Sequence, residues 1–177
     1  MISLVSFLKE RADEAFALIV KAMADVDDDI LHWEPAPNSR GLRPKNGYWI
    51  PDYDQPQPLP PGPKTIGWLA AHIATCKEMY FEYAFGPGKK QWHDLIIPGD
   101  SQGLRKYIEH SHRPLMAKLD ELAETDLEKL VSTNCGEKKP IWWIYWIMIY
   151  HDIEHGGQIF QIKREYIRPL TNQLTGQ

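Results

Sequence analysis

The sequence predicts an all-α protein in which four helices form an antiparallel bundle, as a single domain covering residues 1–177. Three observations support this fold class. Four segments carry apolar residues at helical spacing, Pro- and Gly-containing stretches separate them, and the last of the four is apolar on nearly every side. The length is typical of one domain and is sufficient to bury a core, so a bundle is the natural architecture.

Composition indicates an ordinary globular chain and excludes several classes of protein. Hydrophobic residues make up 43% and charged residues 25% of the chain, and the net charge is -4. The chain has no excess of basic residues that would suggest nucleic acid as a partner, and its two cysteines do not indicate a disulfide framework. The N-terminal segment lacks the basic region of a signal peptide, and the apolar run 141–150 is about half the length of a membrane span. We therefore expect a cytoplasmic protein that does not bind a membrane.

The first predicted helix covers residues 2–31, where apolar residues recur at helical spacing. An acidic run, residues 27–29, lies near the predicted C-terminal end, where the helix dipole does not favour it. We interpret this run as a solvated face, with a hard-cation site as the alternative. Pro35 and Pro37 then end the helix, since each biases its predecessor away from helical angles.

A long Pro-rich connection, about residues 38–63, follows the first helix. Six prolines fall between Pro51 and Pro63, and Tyr48, Trp49 and Tyr53 accompany them. A structureless segment of this length within a compact domain is unusual and is often functional. We favour a strap that covers the bundle with its aromatic residues over a linker between domains, because linkers seldom carry so many aromatic residues.

The second predicted helix runs from residue 65 to about 85 and places His72 in the middle of its buried face. Cys76 lies one turn further on the same face. It is expected to fill space in the core, since small buried cysteines do so more often than they ligate a metal or react.

The third predicted helix covers about residues 101–123, and Pro114 is expected to kink or divide it. His110 and His112 lie two apart and cannot share a helical face, so both are expected at the surface. Residues 125–139 form the last connection.

The fourth predicted helix, residues 140–167, has two apolar rows, and the second row includes Trp142 and Trp146. A helix that is apolar on two sides lies in the centre of a core, or between a core and a subunit interface. Large aromatic residues are common at interfaces, so we expect a homodimer with Trp142, Trp146 or their neighbours at the contact.

His151 and His155 lie four residues apart in this helix and stand one above the other on its apolar face. Such a pair can hold one metal ion, and two core histidines bonded to carbonyl groups or water are the alternative. If the second and fourth helices are neighbours, His72 meets the pair. Three histidines leave a fourth position open, where the ion would acidify a bound water or thiol.

Asp152, Glu154 and Gln158 lie within a turn of the pair and are candidates for holding the imidazoles. Glu154 and Gln158 are also candidates for transferring a proton. The pattern from His151 to His155 also fits H-x-x-E-H, the inverted zinc-protease motif. That interpretation has little weight, because its third ligand is a glutamate on a later helix and only 22 residues follow His155.

Three segments together resemble a known family. They are WEPAP at 33–37, TIGWLAAHIA at 65–74 and HDIEHGGQI at 151–159. In this order they resemble the DinB-like (YfiT-like) metal-binding bundles, and the resemblance spans almost the whole chain. The family includes S-transferases that use low-molecular-weight bacterial thiols, proteins described as metal-dependent hydrolases, and many members without an assigned activity.

The resemblance implies a four-helix bundle, usually a homodimer, in which His72, His151 and His155 bind a divalent metal. This chain departs from the usual pattern in its insertion at 40–63 and its aromatic run at 142–146. Both features can reshape the mouth of the site, so the substrate does not transfer with the resemblance.

Our leading hypothesis is a metal enzyme of the thiol S-transferase or hydrolase type. A zinc or nickel ion would activate a thiol or a water against a small electrophilic substrate. The alternative is a non-catalytic metal-binding or interaction bundle, for which a closed site with four protein ligands is typical.

Overall fold

Four long helices and two short hairpins make up the part of the chain that the computed structural model describes, residues 3–53 and 62–175, with side chains as far as residue 168. The elements are α1 Leu4–Met23, α2 Asp28–His32, β1 Leu42–Lys45, β2 Tyr48–Pro51, α3 Ile66–Phe85, α4 Ser101–Asp120, β3 Leu130–Ser132, β4 Lys138–Pro140 and α5 Ile141–Thr175, with 3-10 turns at Trp92–Asp94 and Glu124–Asp126. Among the described residues, no helix is both long and apolar enough to cross a membrane.

The prediction of one helix over residues 2–31 is wrong, because the chain breaks between α1 and α2. Asp27 is the N-cap of α2, and its side chain accepts a hydrogen bond from the backbone N–H of Ile30 at 3.0 Å. The carboxylate of Asp28 accepts from the N–H of Ser101 at 2.7 Å. The acidic run therefore begins a helix, where the dipole favours negative charge, rather than ending one.

The long helices pack as a ring in which α1 contacts α5, α5 contacts α3, α3 contacts α4 and α4 contacts α1. One core cluster combines the C-terminal half of α1 and the middle of α5 with the N-terminal halves of α3 and α4. The other combines the opposite halves of these helices. Thus α1 and α5 run in one direction and α3 and α4 in the other, so the bundle is antiparallel between the two pairs and parallel within each.

The connections contain two small antiparallel sheets, so the protein is mostly helical and not entirely so. In the first sheet β1 pairs with β2, from Leu42 opposite Pro51 to Lys45 opposite Tyr48. Asn46 and Gly47 form its two-residue turn with φ values of 53° and 83°, which suits a hairpin of this length. The second sheet pairs β3 with β4. The Pro-rich strap predicted over 38–63 falls partly on residues 54–61, which lie outside the described residues.

In α4, Pro114 lies inside the helix and does not divide it. His110 is exposed, as predicted. The surface position predicted for His112 is wrong, since this residue is only 8% exposed and its ring stacks on Phe16 with centroids 3.8 Å apart. Because the two histidines lie two positions apart, they face different sides of α4. His112 lies on the inner face of the helix with Leu115, one turn later.

The last helix, α5, is longer than predicted and has two apolar sides. It begins at Ile141 and continues to Thr175, beyond the expected end at residue 167. Ile144 is fully buried, whereas Trp146 and Tyr150 remain 48% and 51% exposed. One side of α5 therefore fills the core and also positions the two histidines.

Candidate metal centre

His72 is presented by α3, whose first turn is fixed by a buried cap. The Thr65 side chain accepts a hydrogen bond from the N–H of Trp68 at 3.1 Å. Trp68 stacks its indole on the imidazole of His72, which lies one turn further along α3, with the ring centroids 4.6 Å apart. The indole Nε1 donates to the carbonyl of Asp52 at 2.7 Å, which ties the end of the first hairpin to α3. The orientation of His72 is thus fixed by packing.

The two histidines of α5 meet His72 across the bundle. The Nε2 atom of His151 lies 3.0 Å from Nε2 of His72 and 3.2 Å from Nε2 of His155. The neighbouring helices α3 and α5 therefore bring together the three imidazoles that the sequence spacing singles out. Nitrogen ligands of a tetrahedral zinc ion are about 3.3 Å apart, so the nitrogen atoms of these neighbouring imidazoles have a separation that suits a shared ion.

All three imidazoles are neutral at pH 7. Burial lowers the pKa of His72 to about 3 and that of His151 to about 2, and it also lowers the pKa of His155. Nδ1 of His155 lies 2.8 Å from Oε1 of Gln158, an acceptor, so the proton of His155 is on Nδ1 and the lone pair is on Nε2. Neutral imidazoles with converging nitrogen atoms are the form that binds transition metals.

Cys76 also lies in this cluster, although the sequence predicted a space-filling role for it. Its Sγ is 3.6 Å from Nδ1 of His72, and burial raises the thiol pKa to about 12. Among the described residues, the ligand atoms of His72, Cys76 and His151 all lie within 4.8 Å of one another and could hold a metal ion. This set contains Cys76 in place of His155, whose Nε2 faces His151.

The residues around the histidines divide into two groups. Gln158 contacts His155, and Glu154 is an exposed neighbour whose Oε1 lies 3.5 Å from Nε2 of Gln158. Asp152, another acidic residue near the pair, points into the bundle and binds Lys77, with 2.6 Å between Oδ2 and Nζ. Sequence reasoning missed Lys77, although its position four residues after Ile73 on an apolar row of α3 is a signal of burial.

A groove of about 580 Å³, which we call the polar groove after its charged and amide side chains, lies beside the cluster. Lys64, Glu154, Gln158 and Glu165 line it, together with Pro35 and other residues of the segment after α2. Gln158 belongs both to this groove and to the hydrogen bond with His155. The groove therefore borders the imidazole cluster and is large enough for a small ligand.

Comparison with known proteins agrees with this architecture. The family model described as the DinB superfamily matches residues 11–159. None of the curated proteins compared with the chain matches it. The crystal structure of a conserved protein from Enterococcus faecalis is similar, with a TM-score of 0.61 and 16% sequence identity, over 94% of this chain and 99% of that one. The family match covers most of the chain, so this protein belongs to the DinB superfamily.

Proposed function

We propose that the protein is a metal-dependent enzyme in which His72, His151 and His155 hold one divalent ion, zinc or nickel. The observation that carries the proposal is the convergence of their Nε2 atoms. Nε2 of His151 lies 3.0 Å from Nε2 of His72 and 3.2 Å from Nε2 of His155. Burial keeps each imidazole neutral, and a neutral imidazole has a lone pair to donate. Gln158 fixes the tautomer of His155, the role that neighbouring groups play around metal-bound histidines.

The reaction that fits this cluster best is the attack of a thiol, or of water, on a small electrophilic substrate. When bound, the ion lowers the pKa of a thiol or water beside it. Within the chain, the stacked indole of Trp68 covers one face of His72 and excludes water there. Glu154 lies within reach of Gln158 and is the candidate for accepting the proton that the nucleophile loses.

The polar groove is the proposed binding place for the thiol. Lys64 lines this groove, and its ammonium group can pair with the carboxylate that small cellular thiols commonly carry. Glu154 and Gln158 lie on the same groove, so a thiol bound there would have its sulfur near His155.

Cys76 favours a second candidate function, a non-catalytic metal-binding bundle. If its thiolate joined the three histidines, four protein ligands would close the site, which is the arrangement of structural zinc. The raised pKa of the buried thiol argues for the open site, because proton loss is then costly without a metal.

Metal titration of chelator-stripped protein tests the proposal. We expect one zinc or nickel ion per chain by calorimetry, and a loss of affinity of roughly 100-fold or more in His151→Ala. Gln158→Ala should lower the metal affinity about 10- to 100-fold, because Nδ1 of His155 then loses the acceptor that fixes its tautomer. His110→Ala removes an exposed histidine and is the matched control.

Catalysis is tested with N-acetylcysteine as the thiol and iodoacetamide as the electrophile. All proteins carry Cys135→Ser, because Cys135 is exposed and would be alkylated itself. We expect turnover in refilled protein, little in stripped protein, and retention of turnover in Cys76→Ser. Full turnover in folded, stripped protein would overturn the catalytic role of the metal, and loss of metal in Cys76→Ser would favour the closed site.

A further inference from the structure

A second cleft, of about 620 Å³, lies between the first hairpin and the 3-10 turn Trp92–Asp94. Its lining is mainly aromatic and aliphatic, and includes Trp49, Tyr53, Thr75, Trp92, Ile96 and Ile97. The volume suits a small molecule of drug size. The cleft is separate from the polar groove and shares none of its residues.

The two walls of this aromatic cleft are fixed relative to each other. Trp49 in β2 forms an isolated antiparallel bridge with Ile97 on the opposite wall. The indole of Trp49 lies over Gly99, where a Cβ atom would come within 1.8 Å of the ring, and it stacks on His32 with centroids 5.1 Å apart. Only glycine at position 99 leaves room for this ring, so the cleft is a built feature of the hairpin.

The inner end of the cleft approaches the imidazole cluster, with the indole of Trp68 between them. Tyr53 packs edge-on against Trp68, with centroids 5.9 Å apart, and Trp68 stacks on His72. Thr75 in the floor of the cleft directly precedes Cys76, whose Sγ lies beside Nδ1 of His72. A ligand in the cleft would therefore have one end near the cluster.

Two polar side chains in the cleft, Thr75 and Asp94, already have partners. The Thr75 hydroxyl donates to the carbonyl of Ala71 at 2.8 Å, and the Asp94 carboxylate accepts from the N–H of Gln91 at 2.8 Å. In contrast, Trp92 and Ile96 expose 44% and 77% of their surface. Such a lining favours an uncharged, planar apolar ligand, which gains stacking and burial without an unmet charge.

We propose that the aromatic cleft binds the planar, apolar body of the electrophilic substrate and directs its reactive carbon towards the imidazole cluster. This inference rests on the proposed function, with the thiol in the polar groove and the electrophile in the separate aromatic cleft. In the test reaction below, the thiol sulfur forms a bond to the CH2 carbon of an iodoacetamide. The carbon–iodine bond breaks, iodide leaves with the electron pair, and the thiol proton passes to Glu154 and from there to solvent.

Binding is tested first with N-(1-naphthyl)acetamide, which has the planar body and no leaving group. Calorimetry should detect binding to wild-type protein and, with similar affinity, to His151→Ala, because the cleft does not include that residue. Trp92→Ala should weaken it about 5- to 10-fold through lost stacking. Phe7→Ala removes an equally exposed aromatic residue on α1 and should have no effect. Ile96→Ser tests the same wall if Trp92→Ala does not fold.

Turnover is then compared for N-(1-naphthyl)iodoacetamide and iodoacetamide, with N-acetylcysteine and metal-refilled Cys135→Ser protein. We expect Trp92→Ala to lower kcat/KM for the naphthyl compound about 5- to 10-fold more than for iodoacetamide, which has no planar body to stack. Absence of naphthylacetamide binding, or equal effects on both iodoacetamides, would overturn the inference. Failure of the proposed function has a different signature, since stripped protein would then react as fast as refilled protein while naphthylacetamide still binds.

Discussion

At the scale of single residues, Lys77 and Asp152 form an ion pair inside the bundle, next to His151. The Nζ and Oδ2 atoms are 2.6 Å apart, and the two side chains are 1% and 3% exposed. Nζ also lies 3.4 Å from Nδ1 of His112 and 5.0 Å from the centre of the Phe16 ring. The pair joins α3 to α5 where the histidines meet, so it fixes the register of the two helices that form the cluster.

Removal of one partner of this pair should be costly. We expect Lys77→Met to lower the free energy of unfolding by about 3–5 kcal/mol, because it leaves the Asp152 carboxylate buried without its counter-charge. Urea unfolding of metal-free protein measures the effect. The double variant Lys77→Met/Asp152→Leu should recover most of the loss, since two apolar side chains of similar size need no solvation.

A surface pair provides the control for this experiment. Lys9 contacts Asp120 at the exterior, where solvent screens the charges. Lys9→Met should therefore leave the urea midpoint nearly unchanged. Equal behaviour of Lys77→Met and Lys9→Met would show that the interior pair is solvated and does not hold α3 against α5.

The imidazoles of the cluster and their neighbour Gln158 were predictable from the sequence, and the contacts of Cys76 and Lys77 were not. His151 and His155 are four apart on an apolar face, and helical spacing alone places them together. Cys76 and Lys77 occupy adjacent positions of α3, yet one touches His72 and the other crosses the core to Asp152. Such contacts depend on the rotation of α3 against α5, which periodicity within one helix does not specify.

At the scale of elements, the start of α3 decides how His72 is presented. Thr65 is 1% exposed, and its hydroxyl oxygen accepts from the N–H of Trp68. Its own N–H donates to the carbonyl of Arg40 at 2.8 Å, which anchors the segment before the first hairpin. The cap therefore fixes both the helix and the hairpin that leads into it.

We expect Thr65→Ala to lower the free energy of unfolding by about 1 kcal/mol, the usual cost of a lost N-cap. Thr65→Ser retains the hydroxyl and should lose less than Thr65→Ala. Chemical unfolding monitored by circular dichroism measures both variants. If serine proves as destabilising as alanine, the methyl packing of Thr65 and not its hydrogen bond stabilises this end of α3.

The elements that were wrongly predicted have two separate physical causes. Val26 and Ile30 are both buried, so the apolar spacing continues through the break between α1 and α2 and conceals the cap at Asp27. In the first hairpin, Asn46 and Gly47 are a strong turn signal. The surrounding prolines outweighed it, although edge strands accept proline.

At the scale of the whole molecule, the relative directions of the helices follow from the core clusters, because each cluster combines particular halves of the four long helices. The sequence predicts four helices and their order, but connections as long as those here permit parallel or antiparallel neighbours. The structure places α1 alongside α5 in the same direction. That arrangement leaves the outer side of α5 without a helix against it in the described part of the chain.

The outer side of α5 carries an exposed stripe of apolar residues, Trp146, Tyr150 and Ile153, at helical spacing. Trp146 and Tyr150 stack with centroids 6.0 Å apart, and Trp143 lies 6.3 Å from Trp146. Trp142, the other residue expected at a contact, is half-buried and packs against the core. We propose that two copies of the chain associate through this stripe, because flat aromatic surfaces of this kind are typical anchors at interfaces.

Sedimentation velocity at tens of micromolar tests this association, and we expect a dimer for the wild-type protein. Trp146→Lys should shift the protein to monomer, since it places a charge where the apolar stripes would meet and must be desolvated. Val20→Lys changes a residue on α1 that is 47% exposed, against 48% for Trp146, so it controls for the added charge alone. A wild-type monomer, or a dimer that persists in Trp146→Lys, would place the contact elsewhere. In either case, metal affinity should be unchanged in Trp146→Lys, because its side chain points away from the face that carries His151 and His155.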